Sequence, residues 1–364
     1  MAQEYENNLG YPDSNLEIFS MNFNSPVLGT INIENKMGEF KLDIEQLMEG
    51  LLVCGDKYTG KSSIIKRLLL QIIEDTSLNC LLFDLNNEYN KFLDSKWISR
   101  ETWTIEFGKE NFAINPLELI MDRNDKHLIS LVDIFRTVFN LNIEETYILK
   151  EFISSLIQDS ERPTLSDLLL YLELEDEIVN IFNRDVLKRS ITHLKNILTG
   201  LTHGPMKDIV DVEYTNFNIE NLQDSPIIIK FDNLGKSAQN FIQNLYFLDQ
   251  LIYKVKSKSK NPHLMVFDPI EVISPSLLKM RQDIWDSEGL LATICAPLRK
   301  NKLITDLFEN FVILQISMEE DIKLITCDRI SIDENEIMTL NMGESIVILS
   351  NSYIYKVSIE DFYF

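Results

Sequence analysis

Lys61 and Ser62 carry the most sharply defined chemistry in the chain. They close the run Gly55, Asp56, Lys57, Tyr58, Thr59, Gly60, Lys61, Ser62, which fits G-x-x-x-x-G-K-[ST], the Walker A phosphate loop. Such a loop curls successive backbone amides around a phosphate while the following helix points its positive N-terminus at the anion. Lys61 is suited to neutralise the β- and γ-phosphates, Ser62 to ligate Mg²⁺, and Gly60 to let the backbone approach closely. Both flanks fit, with the apolar LLVC before the loop and the amphipathic SIIKRLLLQII after it. Residues 55–63, ending at Ser63, therefore form the candidate nucleotide-binding set, with ATP and Mg²⁺ as the expected cofactors.

A phosphate loop of this kind also needs an acid at the end of another core strand to hold the metal ion through water. Asp268 closes HLMVFD, an apolar run ending in Asp, which is the Walker B form. The competing reading is a helix-capping Asp at a strand end. Asp84 in LLFDLNNEY is a second candidate, at the end of the strand that follows the phosphate-loop helix. That is the sheet end at which ligands bind in such folds.

These residues need a scaffold. Six short apolar runs, at 51–54, 81–85, 227–231, 264–268, 290–295 and 311–316, read as strands buried on both faces, most of them separated by helix-period segments. The expected fold class is α/β: a RecA-like P-loop NTPase core with a mainly parallel sheet, a large helical insertion and small flanking β elements. Residues 1–25 read as a flexible arm, and 26–48 as a small hairpin turning at Asn35 to Gly38. The core occupies 49–118 and 223–325, interrupted by the helical insertion 119–222. There, apolar residues recur three or four apart, with Thr164 as a start and Gly200 as a stop. The tail 326–364 holds GESIVIL and YIYKVSI, two strands expected to close the sheet edge.

Composition limits the function classes. With 364 residues, 45% hydrophobic and 25% charged, the chain is neither disordered nor fibrous and exceeds the usual size of a single small domain. A formal charge of -23 excludes a generally basic surface, so any polyanion has to meet a local patch. Cys54, Cys80, Cys295 and Cys327 lack CxxC spacing and read as reduced, buried thiols. No apolar run reaches the ~18 residues of a membrane helix. The expectation is a soluble, cytoplasmic protein. The four histidines have no ligand spacing, and no G-x-S-x-G or Cys/His signature is present, which argues against zinc and covalent hydrolase chemistry.

With these residues assembled, the chain resembles the HerA/FtsK superfamily of DNA-translocating P-loop ATPases, and within it the HerA-like branch related to type IV secretion and conjugation ATPases. Besides GDKYTGKS, the likeness rests on Asp84, Glu88 and Tyr89 in a D-x-x-x-E-Y pattern, on FAINPLEL, and on LNMGESIVIL, spread over about 26–364. The resemblance implies an ATP-hydrolysing translocase or helicase subunit, a homo-hexameric ring with ATP between subunits, DNA in the pore and an arginine acting in trans.

The departures are as informative. Pro269 stands where the family has a glutamate directly after the Walker B Asp, and no Gln occurs in LLATICAPLRK, where Thr293, Cys295 and Ala296 stand instead. Glu271 or Glu88 is available as a substitute base. Arg299, in the basic APLRKNK cluster, competes with Arg281 and Arg329 for the trans role, while KVKSKSK at 254–260 lies at the sheet end away from the nucleotide. Two functions follow: a DNA motor, or a hydrolysis-impaired, ATP-held assembly scaffold that organises a nuclease or other effector. A small-molecule kinase would have no use for the long insertion or the tail strands.

Overall fold

A computed structural model describes residues 25–33, 36–75, 79–89, 92, 98–109, 112–120, 125–174, 184–216, 225–231, 233–257, 263–270, 272–286, 291–297, 308–325, 332–350 and 353–359. Its frame is one sheet in which eleven described strands pair in the order β2-β1-β11-β10-β9-β3-β8-β7-β4-β6-β5. In chain order these are β1 (Val27–Ile33), β2 (Lys36–Lys41), β3 (Leu51–Cys54), β4 (Asn79–Asp84), β5 (Trp103–Phe107), β6 (Ile227–Phe231), β7 (His263–Ile270), β8 (Leu291–Pro297), β9 (Asn310–Ile313), β10 (Glu344–Ile348) and β11 (Ile354–Ser358). From β9 to β5 every neighbouring pair runs parallel, whereas β10, β11, β1 and β2 join antiparallel.

The parallel strands are apolar on consecutive residues because both of their faces are covered. Among the described residues, the helices of five residues or more are α1 (Ile44–Glu49), α2 (Lys61–Asp75), α3 (Asp125–Phe139), α4 (Ile143–Asp159), α5 (Leu165–Leu174), α6 (Arg184–Thr202), α7 (Lys236–Ser257), α8 (Pro275–Asp286), α9 (Glu319–Ile325) and α10 (Glu334–Met338). Leu81 and Phe83 of β4, Ile227 and Ile229 of β6, and Met265 and Phe267 of β7 join a core with residues of α3 to α8. Leu82, Ile228, Leu264 and Val266 point the other way, into a core built with Ile64, Ile65, Leu68 and Leu69 of α2. Charged residues that continue this second set at the strand ends therefore lie on the α2 face.

Two of the helices between β5 and β6 start where local capping directs. Asn142 accepts from the Glu145 amide while Glu145 accepts from the Asn142 amide, a capping box at α4. Thr164 and Asp167 exchange the equivalent bonds at α5. Both ends of this helical unit are tied to one point. Asn115 donates to the carbonyls of Pro163 and Glu213, its carbonyl accepts from Leu117, and its amide donates to Thr215. The N-P-L segment is thus a clamp at the base of the helices.

Four expectations are corrected. The hairpin does not turn over Asn35 to Gly38: Lys36 already pairs with Ile33. Helix α6 runs through Gly200 to Thr202, since an amphipathic helix tolerates one glycine. The tail strands do not close the sheet, because β11 pairs with β1 and leaves β2 outermost. Strand β5, at the other edge, was missing from the six apolar runs. Of the arm expected at 1–25, residues 1–24 lie outside the described residues.

Candidate functional site

The fully buried β3 delivers the chain to the loop 55–60, and α2 begins at Lys61. Gly55 is required by space: a Cβ there would lie 2.5 Å from Thr59 Oγ1 and 2.8 Å from Leu314 Cβ. Gly60 is required by backbone, with φ +106° and open space around it. Tyr58 also adopts a left-handed φ of 69° and is 80% exposed, a conformation that costs a bulky residue energy. The first helical bond runs from the Ile64 amide to the Gly60 carbonyl, so the amides of Lys61, Ser62 and Ser63 precede the ladder and face the loop.

Lys61 lies across the loop mouth, donating from Nζ to the carbonyls of Gly55 (2.9 Å) and Asp56 (2.7 Å). Thr59 donates to the Asp56 carbonyl. Asp56 faces elsewhere: its amide donates to Gln315 O, and its carboxylate accepts from the amide (2.8 Å) and hydroxyl of Ser317. Asp56 therefore ties the loop to the segment after β9 and presents no amide to an anion. The Lys57 amine lies 4.7 Å from the Tyr58 ring centroid, and a hydrogen bond to the Tyr58 side chain raises its pKa.

Beside the loop is a cleft of about 160 Å³, lined on one side by Tyr58, Thr59, Gly60, Ser63, Ile64 and Arg67, and on the other by Leu314, Met342, Gly343 and Ile359. The tail wall is held by Glu344, whose carboxylate accepts from the Asn341 amide and side chain and pairs with Lys356 at 3.3 Å. Those contacts hold the Glu344 carboxyl below its ordinary value. The L-x-x-G-E phrase is thus a turn that shapes the cleft. Arg67 and Met342 were not singled out from sequence, because only the sheet order brings α2 and the tail together.

At the same sheet end Asp268 is 4% exposed and lies close enough to the Ser62 side chain for that hydroxyl to favour its ionised form, so the two sequence-predicted metal residues come together. Its Oδ2 accepts from the Tyr89 hydroxyl at 2.6 Å. Asp84 is the register partner of Asp268 on the neighbouring strand, and Lys230 is the partner of Asp84 on the next. Asp84 accepts from the amides of Glu88 (2.9 Å) and Tyr89 (3.1 Å). Burial raises both carboxyls above their usual range, against these hydrogen bonds and, at Asp84, against the charge of Lys230. Glu88 is exposed, accepts from Asn86 Nδ2 at 3.1 Å, and lies close enough for its charge to raise Asp268 further.

Of the two substitute bases, Glu88 is at the site, while Glu271 lies outside the described residues, as do Arg299 and Arg329. Arg281 is buried at the opposite sheet end, its guanidinium over the Phe308 ring at 5.6 Å and against Gly50, which precedes β3. Buried there, it does not fit the trans role expected from the resemblance. Thr293, Cys295 and Ala296 lie in β8, beside β7 and β3. Pro269 lies in β7 where the pairing with β8 shifts between Phe267 and Ile270, in keeping with a residue that has no N–H to donate.

Solved structures repeat this arrangement of elements. VirB4 of Thermoanaerobacter pseudethanolicus aligns over 93% of this chain and 97% of its own, with TM-score 0.64 and 14% identity. The plasmid coupling protein TrwB in complex with ADP and Mg²⁺ aligns over 94% and 91%, with TM-score 0.63 and 15% identity. The fold shared with these structures is the RecA-like P-loop fold. TrwB in complex with a non-hydrolysable ATP analogue gives TM-score 0.61 at 14% identity, over 88% of this chain and 87% of its own. No protein-family model matches the sequence, and no curated protein matches it. Among the described residues, no helix of this P-loop fold is long and apolar enough to cross a membrane.

Proposed function

We propose that the chain is a cytoplasmic ATPase subunit of a homo-hexameric ring that couples ATP binding and hydrolysis to movement or processing of DNA. The observation that carries the nucleotide reading is the phosphate loop of β3 and α2, whose Lys61 spans the loop mouth and whose Ser62 lies beside the buried Asp268 of β7. Hydroxyl and carboxylate oxygens are the donors Mg²⁺ prefers, so these two residues fit the ion: Ser62 would ligate it and Asp268 would hold its water. When bound, Mg²⁺ neutralises charge on the transferring phosphate. The TrwB complex with ADP and Mg²⁺ supports the same pair of cofactors here.

The remaining roles belong to the chain's own groups. Lys61 exchanges the Gly55 and Asp56 carbonyls for phosphate oxygens, and the amides of Gly60, Lys61, Ser62 and Ser63 receive the anion. The cleft between Arg67 and Met342 takes the nucleoside end. Glu88 is the carboxylate best situated to accept a proton from the attacking water, standing in for the glutamate that Pro269 displaces. DNA contact, Arg299 as the cation from a neighbouring subunit, and the helical unit at 119–222 as an insertion between two core halves belong to the same proposal.

Pro269 favours a second reading, in which bound ATP holds a ring that positions a nuclease or other effector and is hydrolysed slowly. Steady-state ATP turnover with and without DNA, beside Lys61→Ala, separates the two. The motor reading expects DNA-stimulated turnover that Lys61→Ala abolishes, with rings detected by light scattering. ATP-dependent rings without turnover reject the motor and favour the scaffold.

A further inference from the structure

We infer that Tyr89 is a positioning residue for Asp268: its buried hydroxyl fixes the carboxylate that supports the metal ion. The inference rests on the Mg²⁺-nucleotide reading of the site and extends it to a residue that touches neither ligand.

The torsion that turns an Asp carboxylate is soft and roughly two-fold, so a carboxylate aligned by one partner alone can swing. Asp268 has partners on two sides. The Ser62 side chain lies beside it on α2, and the Tyr89 hydroxyl donates to its Oδ2 at 2.6 Å from the turn after β4. A buried Tyr hydroxyl is satisfied only if it finds such an acceptor, and Tyr89 is completely buried. With Tyr89 holding one oxygen, the carboxylate stays turned toward Ser62 and the loop mouth.

Tyr89 is held at three further points. Its backbone amide is bound by Asp84 Oδ2 at 3.1 Å, Phe92 meets it edge-on at 5.9 Å, and the Lys66 amine lies 5.0 Å from its centroid. Lys66 is one turn along α2 from Ser62, so the helix that offers the metal-ligating hydroxyl also covers the tyrosine. This gives Asp84 a different task from metal ligation. Both of its oxygens accept backbone amides, of Glu88 and Tyr89, and Lys230 stands beside it on β6. Asp84 shapes the turn that returns Tyr89 to Asp268, and the three act in series across two adjacent strands.

The test compares the full-length wild-type chain with Tyr89→Phe, which removes only the hydroxyl. Binding of a fluorescent ADP analogue is followed while Mg²⁺ is titrated, and again in EDTA. The expected result is a rise of about tenfold in half-saturating Mg²⁺, the factor carried by a lost hydrogen bond to a charged group, with unchanged affinity in EDTA. Unchanged half-saturation overturns the inference. So does an equal loss with and without Mg²⁺, because a packing defect would not distinguish the two. Should melting curves show that Tyr89→Phe is unfolded, Asp84→Asn carries the same test with the same expected selectivity for Mg²⁺. A wild-type chain that binds no nucleotide overturns the nucleotide reading together with this inference. An intact Mg²⁺ dependence in the wild type beside an unaltered variant overturns this inference alone.

Discussion

Asp268 pays for its position. Two carboxylates in register on adjacent strands, both buried, repel each other and lose hydration, and hydrogen bonding offsets only part of that cost. Replacing a buried charge by a neutral group of the same shape is often neutral or stabilising. Asp268→Asn keeps an oxygen that can accept from Tyr89. It is expected to raise stability by about 1 kcal/mol in thermal melts run in EDTA while abolishing Mg²⁺-dependent nucleotide binding. A variant that melts below wild type would mean that hydrogen bonding to the ionised form outweighs desolvation. Lys61, Ser62 and Asp268 were legible in the sequence because spacing and the flanking apolar runs define a strand, loop and helix around them. The bond from Tyr89 to Asp268 spans 179 positions and depends on β4 lying beside β7, which no local pattern encodes.

Among the elements, the sheet is most sensitive where the hairpin meets the tail. A Cβ on Gly29 would lie 2.4 Å from the Ser358 carbonyl and 2.8 Å from Val357 Cγ1, so Gly29→Ala has to push β1 from β11. The expected cost is about 1–3 kcal/mol, the range for overpacking a tight contact, read as a lower melting temperature. Gly200→Ala is the matched control: nothing lies within 4 Å, the site is inside α6, and a gain of roughly 0.5–1 kcal/mol is expected. If both variants shift stability in the same direction, close approach at Gly29 is not what sets its identity. Helices of the insertion were legible from period and caps such as Thr164 with Asp167. Strand β5 was overlooked although Trp103, Ile105 and Phe107 alternate with Thr104 and Glu106. Its signal is the period of two, not an unbroken apolar run. The hairpin was visible as a hairpin, but its seat outside the tail strands was not, because strand order is a property of the whole sheet.

At the scale of the whole molecule, charge opposes the assembly that the proposed function requires. Each copy carries a formal charge of -23, so copies packed in a ring repel one another, and a DNA strand brought near them is repelled as well except where a basic patch faces it. Salt acts on these two contacts in opposite directions. Screening reaches inward to about 8 Å at physiological ionic strength and weakens repulsion between subunits, so ring formation measured by light scattering should rise from low to moderate salt at fixed ATP. DNA retention should fall over the same range, because each phosphate contact releases counterions whose return becomes less costly as salt increases. The motor reading requires both trends, and a salt optimum for DNA-stimulated turnover where they cross. The scaffold reading requires only the first. Ring formation that falls with salt would place attraction between opposite charges, not repulsion, at the subunit contact. Retention of DNA that does not vary with salt would remove phosphate contact from the mechanism and with it the reason to assign a nucleic acid to this fold.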